Sequence, residues 1–231
     1  MNRRLVLWRH GQTEWNVAGR GQGHLDVPLD DVGREQARAA AARLASLRPS
    51  AIISSDLSRA YETAEALADL TGLEIRRDPA LREIHLGQWQ GLTRHEVNER
   101  FADERRRIQA GEDVRRGVDG ETVAEVADRA GAALERAAKL ADGPDGGRTV
   151  IVVAHGLSLR VGACRFLGVA QDHWSAFGGL SNCAWIVLEE GRMGWRFTEW
   201  NAGTLPEPVL SGDDIESATG ESDADGEPLA N

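Results

Sequence analysis

Two apolar runs, each closed by a histidine–glycine pair, constrain the fold of this chain more than any other feature. Leu5-Val6-Leu7-Trp8 leads into Arg9-His10-Gly11, and Val150-Ile151-Val152-Val153-Ala154 leads into His155-Gly156, about 145 residues later. Short continuous apolar runs bounded by turn residues read as strands buried on both faces. In an open parallel sheet, ligands bind outside the carboxyl ends of the strands. Two strands that end in histidine therefore bring both imidazoles to one pocket. With Arg9 beside the first, that pocket suits an anion, most obviously a phosphate. A lone His-Gly pair more often marks a strand-ending turn. The same construction twice, with an arginine, weighs toward function.

The rest of the chain alternates strand and helix. Strands are expected at 51–54, at 73–75 before Asp78-Pro79, and at 149–154 in the centre of the sheet. Helices are expected over 31–47, after an N-cap at Ser55-Asp56, over the charged stretch 92–112, over 122–140 and over 157–167. Residues 183–188 and 195–199 read as a strand pair around Glu190-Gly191. The expectation is an α/β fold: a three-layer, mostly parallel, doubly wound sheet with helices on both faces and an antiparallel edge. Trp89, between Gly87 and Gly91, is the tryptophan best placed for a pocket wall.

Charge narrows the partners. The net charge is −10 over 231 residues. Eight acidic residues and no Lys or Arg fall after Leu205, so the body alone stands near −2. A nucleic-acid surface should show a basic stripe, and none is visible. Arg105-Arg106-Arg107 and Arg115-Arg116 read as solvated helix faces, with an anion-attracting wall as the minority alternative. No apolar run approaches the ~18 residues of a membrane span, and the apolar stretch near Met1 is too short for a signal peptide. A cytoplasmic protein is expected. Cys164 and Cys183 lack metal or redox spacing and read as free buried thiols.

The groups expected at the carboxyl edge of the sheet form one chemical set. Strand one brings Arg9 and His10, the helix after strand two brings Arg59, the loop after strand three brings Glu83, and the central strand brings His155. Phosphoryl transfer needs in-line attack and stabilisation of the equatorial oxygens. Arginine forks supply the second, and a neutral imidazole can supply the first. Nearby arginines should lower both histidine pKa values. Backbone N–H groups after Gly11, at Asp56 and after Gly156 are expected to face the same anion. Glu83 can protonate the leaving oxygen and then deprotonate water. No zincin, Walker or dinucleotide motif is present, so neither metal nor cofactor is expected. His24, His85, His95 and His173 read as surface or structural.

These residues carry a resemblance. Arg9-His10-Gly11-Gln12-Thr13-Glu14-Trp15-Asn16, Ser54 to Ala64, Leu81 to Gly91, and Ala154-His155-Gly156 are similar to four ordered motifs of the histidine phosphatase superfamily, the phosphoglycerate-mutase-like proteins. The similarity spans roughly residues 4 to 202. It implies that His10 is the phosphohistidine nucleophile. Arg9, Arg59 and His155 would hold the phosphoryl oxygens, and Glu83 would handle the proton. Asn16 and Gln22, within Arg20-Gly21-Gln22-Gly23, would line the phosphate pocket with Gly11, Gly23 and Gly156. Gln90 stands where many relatives have glutamate. Within the family, the stretches 85–93, 174–182 and 200–202 resemble the glucosyl-3-phosphoglycerate phosphatases of actinobacteria. The implied activity is hydrolysis of a small phosphorylated metabolite. The alternatives are a phosphoglycerate mutase and a non-catalytic phosphate-binding scaffold. Mutases of the family carry a longer segment after the third motif than the roughly 30 residues found here, which favours hydrolysis. A homodimer is left open by the edge strands.

The division into a catalytic domain over 1–205 and an acidic tail over 206–231 rests on composition. The tail offers few apolar anchors, among them Val209, Leu210, Ile215 and Leu229. They cannot offset an ordering entropy of about 1–2 kcal/mol per residue, so the tail is expected to be disordered. Truncation after Leu205 should preserve both the thermal midpoint and the catalytic rate. A marked fall in either would show that the tail docks on the body.

Overall fold

The computed structural model describes residues 3–142 and 149–203. The acidic tail lies outside the described residues. Six strands form one sheet: β1 (Arg4–Arg9), β2 (Ala51–Ser54), β3 (Ile75–Arg77), β4 (Thr149–Ala154), β5 (Trp185–Gly191) and β6 (Gly194–Ala202). Their order is β3-β2-β4-β1-β5-β6. The first four are mutually parallel. β5 runs antiparallel to β1, and β6 antiparallel to β5. The expected mixed architecture is therefore present, with β1 and β4 side by side in the middle.

Side chains alternate across the sheet as the pleat requires. Leu5, Leu7, Val150 and Val152 face one layer, where they meet Ala133, Leu134 and Ala137 of α6 (Val123–Leu140) and Leu159 and Ala163 of α7 (Gly156–Phe166). Val6, Trp8, Ile151 and Val153 face the other layer. There they meet Ala37, Ala40, Ala41 and Leu44 of α2 (Asp31–Ala45) and Ala60, Ala64 and Leu67 of α3 (Ser58–Thr71). The alanine-rich stripe of α2 lets that helix lie close to the sheet and to α3. A third, smaller cluster of Ile84, Leu86, Trp89, Val97, Val126, Val161 and Trp174 seats the segment after β3 against α6 and α7.

Several local expectations change. The charged stretch 92–112 is two helices, α4 (Arg94–Arg100) and α5 (Ala102–Gln109), with α1 being the short turn Glu14–Val17. The break falls at Phe101 (φ −126°, ψ 37°), whose ring packs 6.0 Å from that of Trp89. Trp89 is accordingly a buried core residue, 1% exposed, and not a pocket wall. Asp56 does not cap α3. The helix begins at Ser58 after an uncapped Leu57, while both oxygens of Asp56 accept from Arg82 (2.8 and 2.6 Å). β3 lies two residues later than expected, and the β5–β6 turn is at Arg192-Met193.

The arginine clusters are not a free cationic wall. Arg106 pairs with Asp103, Arg107 with Glu112, and Arg115 with Glu125. The buried Arg105 donates to Asn98 (3.0 Å), and the buried Arg116 donates to the Val114 carbonyl. No helix among the described residues is long and apolar enough to cross a membrane.

One close approach fixes the loop after β1. A Cβ on Gly33, in the first turn of α2, would lie 2.0 Å from the Gln12 carbonyl oxygen. A Cβ on Gly11 would lie 2.4 Å from the Gly33 carbonyl oxygen. Both obstacles are backbone, so the chain itself would have to move. Helix propensity favours alanine over glycine at such a position, but overpacking should win. Gly33→Ala should destabilise by about 2–3 kcal/mol in urea unfolding and displace the loop. Gly178→Ala, whose Cβ meets nothing within 4 Å, should leave the midpoint in place. Equal stability for Gly33→Ala would refute the steric account.

Candidate active site

β1 and β4 end beside each other, Arg9 opposite Ala154. The ladder continues one step further, since the His10 N–H donates to the Ala154 carbonyl (3.0 Å). His10 and His155 follow directly, with ring centroids 5.2 Å apart in an edge-on arrangement. Both rings are buried.

Hydrogen bonds fix what each ring can do. Nδ1 of His10 lies 2.7 Å from the Gly11 carbonyl oxygen. A carbonyl only accepts, so Nδ1 carries the proton and Nε2 carries the lone pair. Nε2 of His155 contacts the Ser55 hydroxyl (2.9 Å), and its buried Nδ1 has no partner. Burial first, then the charges of Arg59 and Arg9, hold His10 well below the usual histidine value. Burial and then Arg59 do the same for His155. The lowering expected from the arginines is present, with desolvation as the larger cause.

Arg9 and Arg59 are buried beside the two rings. The Arg9 guanidinium donates to the Leu180 carbonyl. Arg59 donates to the carbonyls of Gly23 (2.9 Å) and Leu25 (3.0 Å). It thus holds the loop that carries Gln22, whose buried amide has no hydrogen-bond partner at either end. Asn16 accepts through Oδ1 from Thr13 and from Asn182 Nδ2 (3.2 Å). That same Asn182 amide also donates to the His10 carbonyl (3.2 Å). Buried polar groups without partners are rare and mark strain, a missing ligand or chemistry. Here they include an imidazole nitrogen and a carboxamide in the same neighbourhood as two guanidiniums.

Glu83 is buried, not at a rim. Its Oε1 accepts from the N–H groups of Ile84 (2.9 Å) and Ser158 (3.1 Å), and its Oε2 from Leu157 (3.1 Å). The carboxylate therefore sits on the first turn of α7, where N–H groups have no intrahelical partner.

That placement corrects the expectation that these N–H groups face the anion. The N–H groups of Leu157 and Ser158 are used by Glu83. The Gly11 N–H donates to Thr63 Oγ1 (3.0 Å), and the Gln12 N–H to Gln36 Oε1 (2.9 Å). Gly11 contributes a close approach to Gly33, and Gly156 begins α7 behind its N-cap His155. Gly23 has φ +53° and supplies a carbonyl to Arg59. Of the N–H groups expected to face an anion, those of Gly11, Gln12, Leu157 and Ser158 are thus committed to protein acceptors.

The sequence did not point to Ser55, Thr63 and Asn182 as parts of the site, though all three touch the histidines or their loop. Each lay inside a quoted motif or stretch, so a signal existed. His24 and His85 form an edge-on pair at 4.9 Å, and His24 contacts the Glu83 carbonyl (2.8 Å). They belong to the surroundings of Glu83, whereas the His95 side chain is largely exposed. Burial pushes the free thiol of Cys164 up to about 11. Among the described residues, no three His, Cys, Asp or Glu side chains gather as a metal site.

The histidine phosphatase superfamily (branch 1) model matches residues 5–203. A glucosyl-3-phosphoglycerate phosphatase of Mycolicibacterium vanbaalenii is 42% identical over 87% of this chain and 95% of its own length. A probable phosphoglycerate mutase GpmB of Photorhabdus laumondii is 36% identical over 85% of this chain and 89% of its own. The solved mycobacterial glucosyl-3-phosphoglycerate phosphatase complexed with VO3 superposes with a TM-score of 0.79. It is 40% identical over 87% of this chain and all of that one.

The lowered histidines have a consequence for stability. Unfolded histidine takes up a proton near pH 6.5, whereas folded His10 and His155 remain neutral well below that. The unfolded state then binds more protons, so stability falls as pH drops below about 6.5. His10, His155 and the half-buried His24, which burial also lowers, all add to this fall, so stability drops more steeply between pH 7 and 5.5 than exposed histidines would allow. Urea midpoints at pH 7 and 5.5 measure it. A His10→Asn/His155→Asn variant should lose most of the slope, and an unchanged slope would place the effect elsewhere.

Proposed function

This chain belongs to the histidine phosphatase superfamily, and on that premise we propose that His10 is the nucleophile in hydrolysis of a phosphorylated sugar acid of the glucosyl-3-phosphoglycerate kind. The chain is a phosphomonoester hydrolase that acts on a small phosphorylated metabolite. One observation carries the proposal. His10 is a neutral imidazole whose Nδ1–H is tied to the Gly11 carbonyl, which leaves the Nε2 lone pair free beside two buried guanidiniums.

The steps balance. The Nε2 lone pair forms a bond to phosphorus in line with the departing ester oxygen, and the P–O bond breaks. Glu83 gives the leaving oxygen its proton. Water then attacks phosphorus, Glu83 takes the water's proton, and the N–P bond breaks to restore His10. Arg9, Arg59 and the Nδ1 side of His155 hold the equatorial oxygens, with the amides of Gln22 and Asn16 alongside. The unpartnered polar atoms of His155 and Gln22 support this assignment.

A second reading, mutase action, is favoured by the similarity to the probable mutase of P. laumondii. Hydrolysis is supported by the short segment between Gly91 and Glu121, which holds only α4, α5 and a loop. β6 pairs with β5 alone among the described residues, which supports a homodimer joined at the sheet edge.

His10→Ala should lower turnover by about 10³-fold or more with the fold intact by circular dichroism. Wild-type activity should persist in EDTA. With 3-phosphoglycerate and 2,3-bisphosphoglycerate, free phosphate should form faster than 2-phosphoglycerate. Robust turnover by the alanine variant would overturn the role of His10, and faster 2-phosphoglycerate formation would overturn hydrolysis.

A further inference from the structure

The segment that presents Glu83 has almost no regular structure. After β3 come a single 3-10 turn at Pro79–Leu81, an irregular stretch, and another 3-10 turn at Gly87–Trp89. Its backbone carbonyls need partners from elsewhere. Arg129, on α6, provides them. Its Nη1 donates to the carbonyls of Ala80 (3.0 Å) and Arg82, and its Nη2 to the carbonyl of Glu83 (2.8 Å). The remaining Nη2 hydrogen and the Nε hydrogen go to Oε2 and Oε1 of Glu121, both at 2.8 Å. These bonds use all five donors of the guanidinium.

Glu121 is itself tied to the same segment. Its Oε2 accepts from the His85 N–H (2.8 Å), and its own N–H donates to the His85 carbonyl (2.8 Å). Both side chains of the pair are about four-fifths buried. Burial alone would raise the Glu121 carboxyl, but the Arg129 hydrogen bonds and the His85 N–H bring it below its ordinary value. His24 Nε2 adds a second donor to the Glu83 carbonyl, which fixes its proton on Nε2.

We propose that Arg129, oriented by Glu121, is a positioning residue for proton transfer: it anchors the backbone from Ala80 to Glu83 so that the Glu83 carboxyl meets the leaving oxygen. The inference rests on Glu83 as the proton donor. It adds a fixed point to the carboxylate's other anchors, the N–H groups of α7. Side-chain bonds aim the carboxylate, and the Arg129 clamp sets where its backbone starts. Lysine cannot replace the clamp, because an ammonium has three donors and no planar fork.

The test is the dependence of kcat/KM on the leaving group across aryl phosphates, from p-nitrophenyl to phenyl phosphate. A working proton donor makes that dependence shallow. Glu83→Gln should make it steep. Arg129→Lys should steepen it in the same sense, with a loss of about tenfold or more on phenyl phosphate and under about threefold on p-nitrophenyl phosphate. The Glu83→Gln/Arg129→Lys double variant should be no steeper than Glu83→Gln alone. If Arg129→Lys folds poorly, Glu121→Gln provides the second probe. It keeps a carbonyl acceptor but removes the charge and one acceptor, and should steepen the dependence less. Equal losses on all esters for both variants, with Glu83→Gln steep, would overturn the positioning role and leave Glu83 as donor. An unchanged slope for Glu83→Gln would overturn the donor assignment and the inference with it.

Discussion

β1 and β4 run parallel and in register up to Arg9 and Ala154, and the chemistry of the molecule hangs on that ladder. Neighbouring strands lie about 4.8 Å apart, so residues that leave two adjacent strands at the same level emerge as neighbours. The bond from the His10 N–H to the Ala154 carbonyl carries the pairing past the last strand residue. The 5.2 Å spacing of the two imidazoles is close to the strand spacing itself. A one-residue slip in β1 would turn His10 to the opposite face and push Leu5 and Leu7 into the space that Val6 and Trp8 fill against α2 and α3. The alternating core thus enforces the register that the chemistry needs.

Burial then defines the character of the groups. Arg9, His10, Arg59 and His155 are each at most 1% exposed. Desolvation disfavours imidazolium, and two fixed guanidiniums disfavour it further. On a surface the guanidiniums would be ordinary solvated cations and the imidazoles would titrate near pH 6.5. Their surroundings are irregular loops, and the loops are held by side chains in place of ladders. Thr63, Gln36, Asn182 and Glu83 each accept from or donate to a backbone group that no strand or helix satisfies.

The central parallel strands β1, β2 and β4 were legible in the sequence to within a residue, because a doubly covered parallel strand has little alternative, whereas β5 begins two residues later and ends three later than its apolar run suggested. The helices over 122–140 and 31–47 were legible through their apolar periodicity. Weaker signals failed for identifiable reasons. Asp56 has the right chemistry for an N-cap, but Arg82 competes for it from another loop. Phe101 interrupts a continuously charged stretch, and its contact with Trp89 is invisible without tertiary structure. Arg9, His10, Arg59, Glu83 and His155, expected together from their strand-end positions, do lie buried around the ends of β1 and β4. What spacing could not supply was the use of the helix N–H groups. Only the folded positions show that the first turn of α7 is occupied by Glu83. Similarly, Asn16 and Gln22 look alike in sequence, yet one is bonded into the loop after β1 while the amide of the other has no partner.

The commitment of those loop N–H groups to protein acceptors also bears on product release. A cradle already braced by its own side chains needs no segment to order when a phosphoryl group arrives, so little conformational entropy opposes binding. Such a cradle treats the phosphoryl group of an ester and free inorganic phosphate much alike. Only the part of those contacts that strengthens as charge shifts on the equatorial oxygens speeds turnover; the rest holds ester and product alike. Inorganic phosphate is therefore an inherent competitor for this site, and preference for the ester must come from contacts with its alcohol portion outside the histidine–arginine cluster.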